Sequence, residues 1–186
     1  SLFKYEYNDL NQLAKVKDAN DRLIAEYFYD YQGNRVKKKD YLTGETTYYA
    51  GDFVRVNGSD TRYYRFNGQV IAQTSNGQTT FYHNDHLGSP LIATDSDRNI
   101  IQEFSFEPFG KPSDNYDVRY QYTGKELDQE TRAVSFEKRY LDPQLSLFMQ
   151  PDSILPNIYD PQQLNRYNYA RNNPYKYIDS TGNFVQ

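Results

Sequence analysis

The sequence predicts an all-β chain, a ribbon of consecutive antiparallel β-hairpins that ends in an irregular or short-helical C-terminal region. Three observations carry this. Short runs rich in β-branched and aromatic residues recur along the chain. Turn-forming pairs separate them, among them Asn57-Gly58, Asn67-Gly68 and Asn76-Gly77, and Asn-Gly suits a type I′ hairpin turn because both central positions need φ > 0. Third, the chain repeats itself: "YNDLNQL" (7–13) aligns with "YDYQGNR" (29–35), and "YHNDHLGS" (82–89) reads as a diverged third copy. No alternation of strand with long helix is present, so a parallel α/β sheet is excluded.

The elements follow in order. "RLIAEYFYD" (22–30), "TTYYAGDFVRV" (46–56), "TRYYRFN" (61–67), "QVIAQT" (69–74), "QTTFYHN" (78–84), "PLIATD" (90–95) and "NIIQEFSFEPF" (99–109) are the predicted strands. Basic return strands, "AKVKD" and "VKKKD", follow the first two repeat turns. From about residue 116 the texture changes to shorter strand-like pieces with denser charge, which divides the chain into 1–115 and 116–186. "ELDQETRA" reads as a helical turn or a loop, and "DPQQLNRYNYARNNP" as a helix starting at Pro161 with Asp160 as N-cap, carried weakly by residues 164, 167 and 169 and stopped at Asn172-Asn173-Pro174.

Composition says how such a ribbon is held together. Only 37% of the 186 residues are hydrophobic, yet 20 are Tyr and 11 Phe, and the net charge is only −4 with both signs interspersed. That is a folded chain's pattern, with burial carried by rings whose hydroxyls keep a polar partner. Alternation puts Tyr27, Tyr29 and Tyr31 on one face and Phe28 on the other, the tyrosines expected inside a thin wall. Exposed, they would instead offer a stacking face for a glycan. The chain has no Cys, which excludes disulfides and thiolate metal sites. No apolar run approaches the roughly 18–20 residues of a membrane span. The first ten residues lack the basic start and apolar stretch of a signal peptide, and they begin in a strand pattern, as expected of a piece of a longer chain. His83 and His86 are two imidazoles with Asp85 between them, short of a zinc site's ligand set; a turn role is expected and no metal or cofactor. "RVKKK" (35–39) on a strand is expected to be a solvated outer face that protects an edge, and a net-acidic chain gives no support to nucleic acid as a partner.

The repeats, followed by "DHLGSPLIATD", "PFGKP", "YTGKELDQET", "RYLDPQLSLFMQPD" and "NRYNYARNNPYKYIDSTG", resemble the Rhs (YD-repeat) family and its repeat-associated core over nearly the whole chain. The resemblance implies a shell of coiled β-hairpins enclosing a variable C-terminal or associated toxin polypeptide. The core region would close one end as a plug (116–186), and 1–115 would be a shell segment. It implies further shell repeats or another subunit as partners, and export to the cell surface or beyond as part of a larger protein. In many family members the core is also an aspartyl autoprotease. The family's two Asp motifs match Asp152 in "PDSIL" and Asp179 in "IDSTGN", with the cut expected at Gly182 and Asn183. There the two carboxylates would share a proton and activate water; the reading without chemistry is that each Asp caps its own turn. This chain departs from the motifs: Ser153 and Ser180 stand where Pro is usual, Leu155 and Asn183 replace Gly and Leu, and Ser146 and Leu147 replace Gly and Arg. A mechanical role, with self-cleavage as the enzymatic alternative, is the expectation that follows.

Overall fold

The computed structural model describes residues 3–154, 159–179 and 181–183. Eleven strands follow one another in a single antiparallel sheet whose spatial order is the chain order. They are β1 (Lys4–Tyr7), β2 (Leu13–Lys17), β3 (Leu23–Tyr29), β4 (Arg35–Asp40), β5 (Thr46–Ala50), β6 (Phe53–Val56), β7 (Ser59–Phe66), β8 (Gln69–Ser75), β9 (Gln78–Asn84), β10 (Pro90–Thr94) and β11 (Ile100–Glu103). A second sheet holds β12 (Glu126–Asp128), β13 (Ala133–Phe136), β14 (Arg139–Asp142) and β15 (Leu147–Phe148), again in order. The predicted run 46–56 is two strands: Gly51, at φ 61, turns the chain back so that Ala50 pairs with Phe53. The predicted strand 99–109 is shorter, ending at Glu103.

The repeat is a turn. Asn8, Asp18, Asp30, Asp85 and Asp95 each accept, on one side-chain oxygen, the N–H groups two and four residues on. Each also closes a backbone bond from its own N–H to the carbonyl four residues later, at 2.8–3.0 Å. The residue three positions on is left-handed in every copy: Asn11, Asp21, Gly33, Gly88 and Arg98. Flanking pairs match as well, Tyr7 with Leu13, Lys17 with Leu23, Tyr29 with Arg35, Asn84 with Pro90 and Thr94 with Ile100, each beside a register shift. The acceptor at the first position and the αL residue at the fourth are what the turn needs, so the recurrent Asp or Asn of this chain's repeat is a turn cap. The Asn-Gly pairs at 57, 67 and 76 have φ > 0 at both residues, as a type I′ turn requires.

One face of the ribbon is covered by the rest of the chain. Leu13, Val16, Ile24, Ala25 and Tyr27 pack with Ala133 and Tyr140 of the second sheet. Val54, Tyr63, Val70, Tyr82 and Ala93 pack with Phe104 and Tyr116 of the connecting segment. The second sheet's own cluster is Tyr122, Leu127, Val134, Phe136, Leu141, Phe148, Tyr169 and Ala170. "ELDQETRA" is strand β12 and its turn into β13, not a helix. Helix α1 (Pro161–Leu164) does start at Pro161, capped by Asp160, which accepts the Gln162 N–H at 3.1 Å. It stops after one turn. Tyr169 is buried against Phe136 and Phe148, and Ala170, Arg171 and Asn172 then run left-handed (φ 48, 52 and 59), which no right-handed helix can continue into.

Candidate functional site

The two aspartates named from sequence meet at one guanidinium. Arg139, on β14 and nearly buried, places Nη2 at 3.0 Å from Asp152 Oδ2 and 3.1 Å from Asp179 Oδ2. A cation therefore stands between the carboxylates, where the proton-sharing arrangement would put a proton. Each Asp also caps its own turn through Oδ1: Asp152 accepts the Ile154 N–H at 2.9 Å, and Asp179 accepts those of Thr181 (3.3 Å) and Gly182 (2.7 Å). The capping expected of each Asp thus runs through Oδ1, while both Oδ2 atoms converge on one guanidinium. Asp179 is fully buried, whereas the Asp152 side chain keeps 21% of its surface.

Arg139 does more than pair charges. Its Nε donates to the carbonyl oxygen of Gly182, and Nη1 to that of Arg166 at 3.1 Å, while the guanidinium lies 3.7 Å from the Phe148 ring centroid. Burial pulls its pKa below the ordinary value, against the opposing pull of Asp152 and Asp179. Gly182 has φ +84, and a Cβ there would sit 2.5 Å from the Phe136 carbonyl oxygen, so only glycine fits this approach. Ser146 is left-handed at φ 60 where the family motif has Gly. Ser180 and Leu155 lie outside the described residues. Arg139 was not named from sequence: it opens the motif block that ends in Asp152, but Asp179, the second partner that makes it a meeting point, is 40 residues away.

A second buried charge cluster fastens the ribbon to the small sheet, and it corrects the reading of "RVKKK". Lys38 is only 7% exposed. Its Nζ lies 2.8 Å from Asp128, 3.2 Å from Glu130 and 3.7 Å from Glu126. Arg35 pairs with Glu126 at 2.6 Å and Asp128 at 2.8 Å, and Arg119 with Glu126 at 2.5 Å. Arg35 and Lys38 are three apart and would face opposite ways on a regular strand. The register shift beside Tyr29 leaves Val36 exposed and turns both inward. The readable signal was on the other partner: "ELDQE" sets carboxylates at 126, 128 and 130, one face of a strand. Burial and Asp128 push the Glu130 carboxyl up to about 7, against Lys38. For Glu126 burial is outweighed by Arg35, Arg119 and Lys38, and it falls to about 2.

The other sequence candidates are placed as follows. His83 Nε2 pairs with Thr94 Oγ1 at 3.1 Å and His86 Nε2 with the Tyr175 carbonyl at 3.2 Å, and no metal-holding group of three is found among the described residues. Tyr27 is buried and Tyr29 half-buried, but Tyr31 is 91% exposed, because β3 ends at Tyr29 and residue 31 belongs to the turn. The three tyrosines therefore do not build one stacking face. No described helix is long and apolar enough to cross a membrane. Between the hairpin ends at 30–36, 49–51, 65–69 and 86–87 and the small sheet lies a cleft of ≈ 960 Å³. That is the size of a small-ligand pocket, too small for a folded polypeptide.

The Teneurin YD-shell family model matches residues 3–175. The chain belongs to this family of YD-repeat shells. The tRNA3(Ser)-specific nuclease WapA of Bacillus spizizenii is 30% identical over 98% of this YD-shell chain, and chicken Teneurin-1 is 25% identical over 97%. The chain spans only 8% and 7% of these relatives. In fold, it superposes on the TcdB2-TccC3-Cdc42 crystal structure with a TM-score of 0.82 at 19% identity, covering 97% of this chain and 10% of that one. The Photorhabdus luminescens Tc holotoxin pore matches with the same TM-score at 18% identity. As a YD-shell segment of Rhs type, the chain is a piece of β-hairpin shell architecture.

Proposed function

We propose that this chain is the closing segment of a larger shell, in which the ribbon 1–115 is wall and 116–186 is the plug, and that the shell sequesters an attached or associated toxin polypeptide. The observation that carries this reading is the buried contact between ribbon and small sheet: the inner face of the wall is already filled by the chain's own C-terminal part. A cleft of ≈ 960 Å³ leaves no room for a folded cargo, so enclosure needs the further shell repeats or a partner subunit. Export as part of that longer protein follows from this role. The test is limited proteolysis of the chain in its native reading frame. Downstream polypeptide that resists protease, and loses that resistance when Asp128→Ala loosens the seam, supports the reading; downstream polypeptide digested equally in both overturns it.

A second reading, self-cleavage, is favoured by one further observation: Arg139 donates to the Gly182 carbonyl oxygen, at the expected cut. In this reading water adds to the Gly182 carbonyl carbon while Asp152, the more accessible carboxylate, takes its proton. Arg139 stabilises the negative charge that develops on the oxygen. The C–N bond to Asn183 then breaks, the proton passes to the Asn183 nitrogen, and a Gly182 carboxylate and an Asn183 amine result. Asp179 holds the Gly182 N–H and Arg139 in place. The chain extended by a stable reporter should lose it between Gly182 and Asn183, and Asp152→Asn should stop the loss. An extension intact by mass over days would sink this reading.

A further inference from the structure

Asp152 is held on both sides by one residue. Its N–H donates to the main-chain carbonyl of Arg166 at 2.9 Å, and its own carbonyl accepts from Arg166 Nε at 2.9 Å and from Arg166 Nη2. The same Arg166 carbonyl accepts Arg139 Nη1 at 3.1 Å. Residue 166 is thus joined both to the backbone that carries the carboxylate and to the guanidinium that the carboxylate meets. Nothing else among the described contacts links the two in this way.

We propose that Arg166 is a positioning residue for self-cleavage: it fixes the peptide of Asp152 so that the partly exposed carboxylate stays on Arg139, beside the Gly182 carbonyl. The inference rests on the self-cleavage reading given above. Position 153 is Ser, a residue that leaves the backbone after Asp152 unrestricted, whereas Pro there would confine residue 152 to extended conformations. Arg166 supplies that restriction by hydrogen bonds. Two donors of a planar guanidinium on one carbonyl fix both distance and direction, and a lysine ammonium has no such fork. Arg166 does not contact the Gly182–Asn183 peptide in the described contacts, so its action runs through Asp152 and Arg139.

The experiment follows cleavage of the chain carrying a C-terminal reporter, by mass against time, with thermal midpoints measured alongside. Arg166→Ala is expected to slow cleavage about 10²-fold, the loss that a misplacement on the order of 1 Å brings. Arg166→Lys should be similarly slow. Two rescues separate positioning from general stability: guanidinium ion added to Arg166→Ala, and Ser153→Pro combined with Arg166→Ala, should each recover rate. If the wild type does not cleave, the self-cleavage reading falls and this inference with it. If the wild type cleaves and Arg166→Ala matches it, this inference alone falls. A slow Arg166→Ala with a lowered midpoint and no recovery by either rescue also overturns it, because Arg166 then serves folding only.

Discussion

The two sheets of this molecule solve burial differently. In the ribbon the inner strands bury one side, while the end strands β1 and β11 bury none: Val54 of β6 and Val70 and Ala72 of β8 point inward, while Phe53, Ile71 and Phe81 stay exposed on the other face. In the small sheet nearly every residue of β12, β13 and β14 is buried. A single layer of hairpins cannot bury enough to stand alone, and the small sheet serves as its second layer. The ribbon is built from a repeated local turn; the small sheet also pairs consecutive strands, but its buried faces meet partners distant in sequence. What joins them is partly apolar, through Tyr27 and Tyr140 at 5.6 Å between ring centroids, and partly the ion cluster around Asp128.

The largest way to break this pairing is at Asp128. It is fully buried and answers both Arg35 and Lys38. Asp128→Ala would leave two cations buried with fewer partners, and a loss of about 3–5 kcal/mol is expected in urea denaturation. Asp60→Ala, which removes an exposed ribbon pair with Arg55, should leave the urea midpoint nearly unchanged, because water and salt screen that pair. Equal losses would mean that the cluster does not join the two sheets.

The same seam should respond to pH through Glu130. Its carboxyl sits at about 7 in the folded chain against 4.5 when free. Between these values the native state holds more protons than the unfolded state, so stability is full below 4.5 and declines as pH rises through 7. Glu126 works the other way: its contribution is present above 4.5 and lost as pH falls through about 2. The urea midpoint of the wild type should therefore fall between pH 5 and pH 8 by more than that of Glu130→Gln. Parallel slopes would show that Glu130 is not the responsible group.

How much of this could be read in advance follows from the same contrast. The ribbon was legible because its information is local: an acceptor such as Asp30, a left-handed Gly33 and alternating strands lie within a few residues of one another. The repeat marked the turns at Asn8, Asp30 and Asp85, but not the equivalent ones at Asp18 and Asp95. The seam was not legible from "RVKKK", because a bulge beside Tyr29 changed which side chains face inward, and Lys38 meets Asp128 across 90 residues. Asp152 and Asp179 could be named from motif resemblance alone. Arg139, which decides what they can do together, stands in the same motif block as Asp152, but nothing in that block marks its side chain as the meeting point with Asp179, and the helix read onward from Pro161 counted Tyr169 in its pattern although the helix ends at Leu164.

Within the ribbon, effects should be smaller and additive turn by turn. Asp30→Ala removes the acceptor for the Gln32 and Asn34 N–H groups, both exposed to water, and a small drop in the urea midpoint is expected. Asp18→Ala and Asp95→Ala should cost the same if the repeat is one physical device. Three clearly different losses would show that neighbours, and not the turn itself, set the stability.

The smallest effect should be a gain. The fourth position of the turn is Gly33 and Gly88 in two copies, but Arg98 in another, at φ 69. A left-handed conformation costs an L-residue about 1–2 kcal/mol, and glycine escapes this cost. Glycine gives part of it back through the greater freedom of the unfolded chain, roughly 0.5–1 kcal/mol. Arg98→Gly should therefore stabilise the chain by about 0.5 kcal/mol, visible as a small rise in the urea midpoint with unchanged slope. Gly33→Arg should do the reverse and by more, because a side chain there also meets Gln12 and Lys138. A loss in Arg98→Gly would mean that the arginine side chain itself supports the turn between β10 and β11, and that the copies of the repeat are not interchangeable.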